Sequence, residues 1–220
     1  MNEYLAETVR QRMERTADAL KKNRMDAYLV KSRSEVVPLI RTLLHPNDTV
    51  AVGGSVSLDE CGVLDLLRCG DYQFLDRYAP GLSGEQIAEI YRKSFFADAF
   101  LCSTNAVTES GELYNVDGNG NRVAALIFGP KRVIVVAGIN KLVRNLDEAI
   151  ARVKCMAAPA NGVRLETRTP CSRIGRCASC DGGMTSGCAS ERRMCCQYVV
   201  TGYQRTDRIR VVLVGEDLGY

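Results

Sequence analysis

The chain has 220 residues, 46% of them hydrophobic, with ten cysteines, one histidine and no tryptophan. That is enough for one large domain with a real core, and a formal charge of +3 is too small to argue for nucleic acid or a membrane surface as partner. No run approaches the ~18 apolar residues of a membrane span, and the opening MNEYLAETVRQRMERTADAL is charged with both signs and lacks the apolar stretch of a signal peptide. The expectation is a soluble cytoplasmic protein, a setting where structural disulfides are uncommon.

In chain order, Leu5, Val9, Met13, Ala17 and Leu20 recur every three or four residues and predict an amphipathic helix over 4–23. MDAYLV (25–30) reads as a strand. Ser34 is expected to cap SEVVPLIRTLL, with Pro38 near the first turn, where a missing N–H is tolerated. HPND is a turn, and TVAV (49–52) is a second strand. Gly53-Gly54-Ser55 follows, and Ser57 to Glu60 reads as a capping box opening a helix to about Leu67. QFL (73–75) is a short strand, Ser83 to Gln86 is a capping box for a helix through about Phe96, and DAFLC (98–102) is a strand. Alternating strands and helices imply an α/β fold, a mostly parallel sheet with helices on both faces.

The pattern then changes. STNAVTESG reads as a polar loop, and ELYNV and RVAALIF as strands separated by the turn-forming DGNGN. RVIVVAG (132–138) is a continuous apolar strand. Asn145 to Glu148 caps a last long helix to about Ala158, with Asn161-Gly162 suited to its C-terminal end. Six of the ten cysteines fall between Cys171 and Cys196, where five arginines between 168 and 196 face one Asp and one Glu, so the positive excess is local. QYVVTGY (197–203) and RIRVVLVGE (208–216) close the chain as strands. One domain over 1–220, with a small cysteine-rich insert at 168–196 before the last strands, is the simplest organisation.

In open α/β sheets, ligands bind beyond the carboxyl ends of the strands. Three polar segments leave strands there. Gly53-Gly54-Ser55 lets backbone N–H groups approach an anion at a helix start. Ser103 to Gly111, with Thr104, Asn105, Thr108 and the carboxylate of Glu109, is long and rich in hydroxyls, a composition common in functional loops. Gly138 to Lys141 carries Asn140 and Lys141; Lys141 could meet a phosphate or carboxylate, although a surface lysine is the plainer reading. Asp117 and Asn121 in the DGNGN turn complete the candidate ligand set. The sequence has no Walker A motif, GNGNR lacks the strand–helix setting of a dinucleotide fingerprint, and one histidine in an HPND turn makes a Ser-His-Asp triad improbable. Acid–base work would fall to Glu60, Glu109, Asp117 or a lysine, with Glu109 the catalytic candidate.

Five stretches carry a resemblance: GGSVSLDECG, TNAVTESGELYNVDGNGNRVAALIFGPKRVIVVAGINK, TPCSRIGRCASC, RMCCQYVV and RIRVVLVGEDLGY. Together they resemble the LUD domain family of lactate-utilisation proteins over nearly the whole chain. The resemblance implies a fold like the sugar-phosphate isomerase and CoA-transferase superfamily. It also implies a link to the oxidation of lactate to pyruvate, where such proteins work beside iron–sulfur subunits. It supplies no catalytic residue. In the subset with a cysteine tail, the pattern maps onto Cys171, Cys177, Cys180 and Cys195; Cys188 and Cys196 depart from it.

The C-x2-C at Cys177 and Cys180 puts two thiolates on one turn, and Cys171 and Cys195 could complete four ligands. An iron–sulfur cluster, Zn²⁺, or no metal with free or disulfide-linked thiols all remain open; unequal spacing and the family's redox association favour the cluster. Cys61, Cys69, Cys102 and Cys155 read as small core residues. Two functions follow. One is a redox accessory protein that binds a small anionic metabolite at the strand-end loops and meets iron–sulfur redox subunits. The other is a metal-independent enzyme acting on acyl-CoA or phosphorylated metabolites, beside which stands a binding subunit without chemistry of its own.

Overall fold

The structure, a computed structural model, describes residues 2–220. The first helix, α1 (Glu3–Lys22), is capped by the Asn2 side chain and buries Met13, Thr16, Ala17 and Leu20. Leu5 at its start is more than half exposed, so the buried stripe covers only the later turns. Strand β1 (Asp26–Val30) follows. Ser34 lies inside a 3-10 turn, Arg33–Glu35, and makes no cap for α2 (Val36–Leu43). After β2 (Thr49–Val52) the cap is Ser55, not Ser57: its side chain accepts from the Leu58 N–H. The expected single helix is two, α3 (Val56–Glu60) and α4 (Val63–Arg68), broken at Gly62, whose φ of +72° is open to glycine but strained for other residues.

Next come β3 (Gln73–Leu75), α5 (Gly84–Lys93) with the full Ser83–Gln86 capping box, and β4 (Ala99–Cys102). The segment read as a polar loop contains a buried strand, β5 (Ala106–Thr108), paired antiparallel with β6 (Leu113–Asp117). Its hydroxyls serve the chain itself: Thr104 donates to the carbonyls of Ala106 and Tyr114, and Thr108 bonds the Glu112 carboxylate. RVAALIF is not a strand but helix α6 (Asn121–Phe128), burying Arg122, Val123, Ala125 and Leu126 on one face. Short apolar runs do not separate helix from strand by periodicity. Here Gly120 at φ +79° turns the chain, and the Asp117 carboxylate accepts from the Arg122 and Val123 N–H groups, fixing the helix start.

Strand β7 (Arg132–Gly138) leads through a 3-10 turn to β8 (Leu142–Val143). The last long helix runs past Ala158: α7 (Leu146–Arg152), a π-helical turn at Val153–Ala157, then α8 (Ala158–Arg164). Pro159 has no N–H to give the Cys155 carbonyl, and the Ala158 N–H reaches back to the Val153 carbonyl, so the wide turn sits where the α-helical ladder is interrupted. Asn161 and Gly162 lie inside α8 rather than at its end. A short α9 (Pro170–Ile174) opens the cysteine segment, and β9 (Gln197–Thr201) and β10 (Ile209–Val214) follow it.

The strands form two sheets. The larger has six strands in the order β1-β10-β7-β4-β2-β3, all parallel. Its alternating side chains pack on α1 and α6 on one face, through Phe100, Val133, Val135 and Leu213, and on α2, α3 and α4 on the other, through Val50, Leu101, Ile134 and Val212. The predicted α/β fold with helices on both faces is thus present. The smaller sheet, β8-β5-β6-β9, is mixed and packs on α7 through Ala106, Tyr114 and Ala149. The closing strands separate: β9 joins the small sheet and β10 inserts between β1 and β7. Among the described residues no helix is long and apolar enough to cross a membrane.

Candidate functional site

A cleft of about 570 Å³ opens at the carboxyl ends of β2, β4 and β7 and is walled by α8 and the 192–196 segment. Its lining holds six cationic side chains, Arg77, Arg122, Lys141, Arg164, Arg192 and Arg193, against a single acidic side chain, Asp117. Such an excess, focused by low-dielectric walls, favours anions.

At the floor lies Lys141, placed there by the 3-10 turn after β7 and only 4% exposed. Its Nζ donates to Ser57 Oγ at 2.8 Å and to Ser103 Oγ at 2.9 Å. Burial, and then the positive charges of Arg152 and Arg122, push its amine down to about 7, so both protonation states are populated near neutrality. The plain expectation of a surface lysine is overturned. Arg152 stands behind it, donating to the carbonyls of Asn140 and Asn105.

Arg122 is tied on all sides. It donates to the Ser103 and Val116 carbonyls and to the side-chain oxygens of Asn105 and Asn115, with Asp117 at 3.6 Å. It joins the β4 loop to β6 and is not free for a ligand. Arg77 and Arg164 are freer: Arg77 stacks over Tyr78 and Tyr91 and Arg164 donates to Tyr220 Oη and Asn161, neutral partners in both cases.

The expected ligand residues divide. Gly54, Ser55, Thr104, Asn105, Asp117, Asn121 and Lys141 line the cleft. Gly53 does not: a Cβ there would stand 3.0 Å from Arg122 Cγ and 3.1 Å from Cys102 Cβ, so this glycine allows Arg122 to pack. Asn140 shapes the wall by holding Leu218 and Gly219 through both its amide and its carbonyl oxygen. Thr108 and Glu109 lie outside the cleft. Glu109 is ion-paired with Arg12 of α1 at 2.5 Å and is displaced as the catalytic candidate. Asp117 is occupied as the cap of α6, and Glu60 accepts from the Gly219 N–H. Arg77 and Arg164 belong to no sequence motif and Ser57 reads only as a helix cap; the fold brings all three to the cleft, with Ser57 on Lys141 itself.

The cysteines divide too. Cys171, Cys177 and Cys195 line a second cavity of about 30 Å³ beside the cleft, but the fourth thiol there is Cys188, not Cys180. Among the described residues no group of three or more His, Cys, Asp or Glu side chains is placed to hold a metal ion. Cys61 and Cys102 are buried as expected, whereas Cys69 and Cys155 are exposed.

Comparison with known proteins adds three findings. No curated protein matches the chain. A solved structure, a DUF162 family protein from Deinococcus radiodurans, is similar with a TM-score of 0.54 and 17% identity, covering 94% of this chain and 98% of that one; at this identity it supports the fold alone. The LUD domain family model matches residues 13–214, which include both sheets and most of the cleft. The chain belongs to the LUD domain family.

Proposed function

We propose that the protein binds a small anionic metabolite, a carboxylate or a phosphate, in the cleft over Lys141, and does so in lactate utilisation or related redox metabolism. Membership of a family associated with lactate utilisation supports the second half. One observation carries the first: a buried lysine with no carboxylate partner among the described residues, held between two serine hydroxyls at the base of a strongly cationic cleft. An anion seated on Ser103 and Lys141 would meet a charge-assisted donor in a partly desolvated setting, where such bonds are stronger than in water. Thermal shift against lactate, pyruvate, phosphate and an acyl-CoA thioester tests it. At least one anion is expected to raise the melting temperature of the wild type, with the shift lost in Lys141→Met and reduced in Arg77→Ala. A shift that survives both substitutions would place binding elsewhere.

A second reading, an enzyme acting on acyl or phosphorylated metabolites, draws on the contact between Lys141 and Ser103. An amine with its pKa near 7 can take the Ser103 proton as the oxygen attacks an acyl carbon or phosphorus, then pass that proton to the leaving group. Under this reading Ser103→Ala retains binding and loses turnover. Turnover unchanged in Ser103→Ala would remove it.

A further inference from the structure

The cleft is far larger than the anionic group that Lys141 can hold. Its volume of about 570 Å³ lies in the range of clefts that enclose drug-sized molecules. Its cations also stand at two depths. Lys141 at the floor is buried, whereas Arg164 and Arg192 at the rim are exposed. Arg164 donates from Nε to Tyr220 Oη at 2.7 Å and from Nη2 to Asn161 Oδ1 at 2.8 Å, and Tyr220 Oη donates in turn to the same Asn161 oxygen at 2.7 Å. These neutral partners hold the guanidinium in place and leave its charge unmatched. The Arg192 guanidinium makes no hydrogen bond or ion pair among the described residues.

One helical wall joins the two depths. Val153, Ala157, Ala158, Asn161, Arg164 and Leu165 all line the cleft, and their recurrence every three or four residues puts them on a single face. The near end of that face is tied to the floor: Arg152, next to Val153, donates to the carbonyl of Asn140, the neighbour of Lys141. The far end carries Arg164. From Val153 to Arg164 the wall runs about 15 Å along the helix axis. A lone carboxylate or phosphate does not span that length, so one such group cannot meet both cations. Between the two ends the wall is uncharged. Val153, Ala157 and Ala158 offer apolar surface, and Met194 packs beside Asn161 and Gly162.

We propose that the cleft takes an elongated metabolite with an anionic group at each end, one on Lys141 and Ser103 at the floor and the other on Arg164 and Arg192 at the rim, joined by an uncharged spacer that lies along the α8 face. The inference rests on the reading of Lys141 as an anion site and adds to it a second site and a reach. Once the first group is seated, the second binds in an intramolecular step, and its gain depends on how well the spacer matches the span. A ligand with one anionic group occupies the floor alone and forgoes the rim contact.

The test titrates the full chain by calorimetry with butylene, octylene and dodecylene bisphosphonates, each against the alkylphosphonate of the same chain length. Comparison at fixed length cancels the apolar contribution of the spacer and leaves that of the second phosphonate. For at least one length the second phosphonate is expected to tighten binding roughly tenfold or more, the size of one charge-assisted contact. That gain should disappear when Arg164→Ala and Arg192→Ala are combined; both side chains are exposed, so the doubly substituted chain keeps its core. In Lys141→Met the alkylphosphonates themselves should bind more weakly. No gain at any length, with alkylphosphonates still bound in a Lys141-dependent way, would overturn the inference and leave the floor site standing. A gain that survives the double substitution would overturn it as well. If no phosphonate binds the wild type, the floor site itself fails, and the inference with it.

Discussion

Lys141 is the residue on which the proposed anion binding turns. Its amine is pushed down to about 7 from an ordinary 10.5, so between these values the unfolded chain binds a proton that the folded chain has released. Stability must therefore rise with pH across that window and level off above it. Below about pH 7 both states are charged and the burial penalty is constant. Subtracting the unfolding free energy of Lys141→Met from that of the wild type isolates the effect. The difference should be flat below pH 7 and climb by a few kcal/mol towards pH 10, as measured by denaturant titration at several pH values. A flat difference throughout would mean that Lys141 is solvated and keeps its ordinary pKa. The sequence marked Lys141 through its place at a strand end, but its burial is invisible there: the serines that hold it, Ser57 and Ser103, are 84 and 38 residues away.

At the scale of elements, legibility followed the length and flanks of each run. The α1 periodicity, the Ser83–Gln86 box and the strands of the parallel sheet were readable because each carries its own cap or its own period. Three elements were not. RVAALIF has an apolar pattern common to strand and helix, and what decides is Asp117, whose carboxylate meets the first N–H groups of α6. Ala106 to Thr108 looked like loop because its neighbours are polar, yet those hydroxyls satisfy the backbone of a buried hairpin. The π turn at Val153–Ala157 follows from one proline whose helical setting was not evident. The role of Asp117 is directly testable. Asp117→Ala removes the acceptor for two N–H groups and the nearest carboxylate to Arg122, and should cost about 1–2 kcal/mol in urea unfolding. An unchanged midpoint would show that α6 is held by packing alone.

At the scale of the whole molecule, the cleft lies where the large parallel sheet meets the small mixed one. Ser103 to Asn105 leave the first, Val116 to Gly118 leave the second, and Arg122 ties the two. The general location of a ligand site, beyond the strand carboxyl ends, was legible from the alternation of elements. Its membership was only partly so, because Arg77, Arg164 and Arg192 are far apart in sequence and belong to no motif. Glu109 shows the reverse case: a conspicuous carboxylate in a promising loop that the hairpin turns towards Arg12 and Arg15 of α1. Glu109→Gln should therefore leave anion binding unchanged and alter stability by less than about 1 kcal/mol, as expected for a partly exposed pair. Binding assays and unfolding curves on that one variant check both statements.

The most direct measurement is calorimetric titration of the strongest-binding anion at pH 8.5, in two buffers of different ionisation enthalpy. At that pH the Lys141 amine is largely neutral, and an anion placed against it raises its pKa, so binding must take up a proton from the buffer. The account predicts saturable binding with net uptake of a substantial fraction of one proton in the wild type, and loss of that uptake in Lys141→Met. Binding with no proton uptake, or with the same uptake in Lys141→Met, would contradict the claim that this buried lysine receives the ligand.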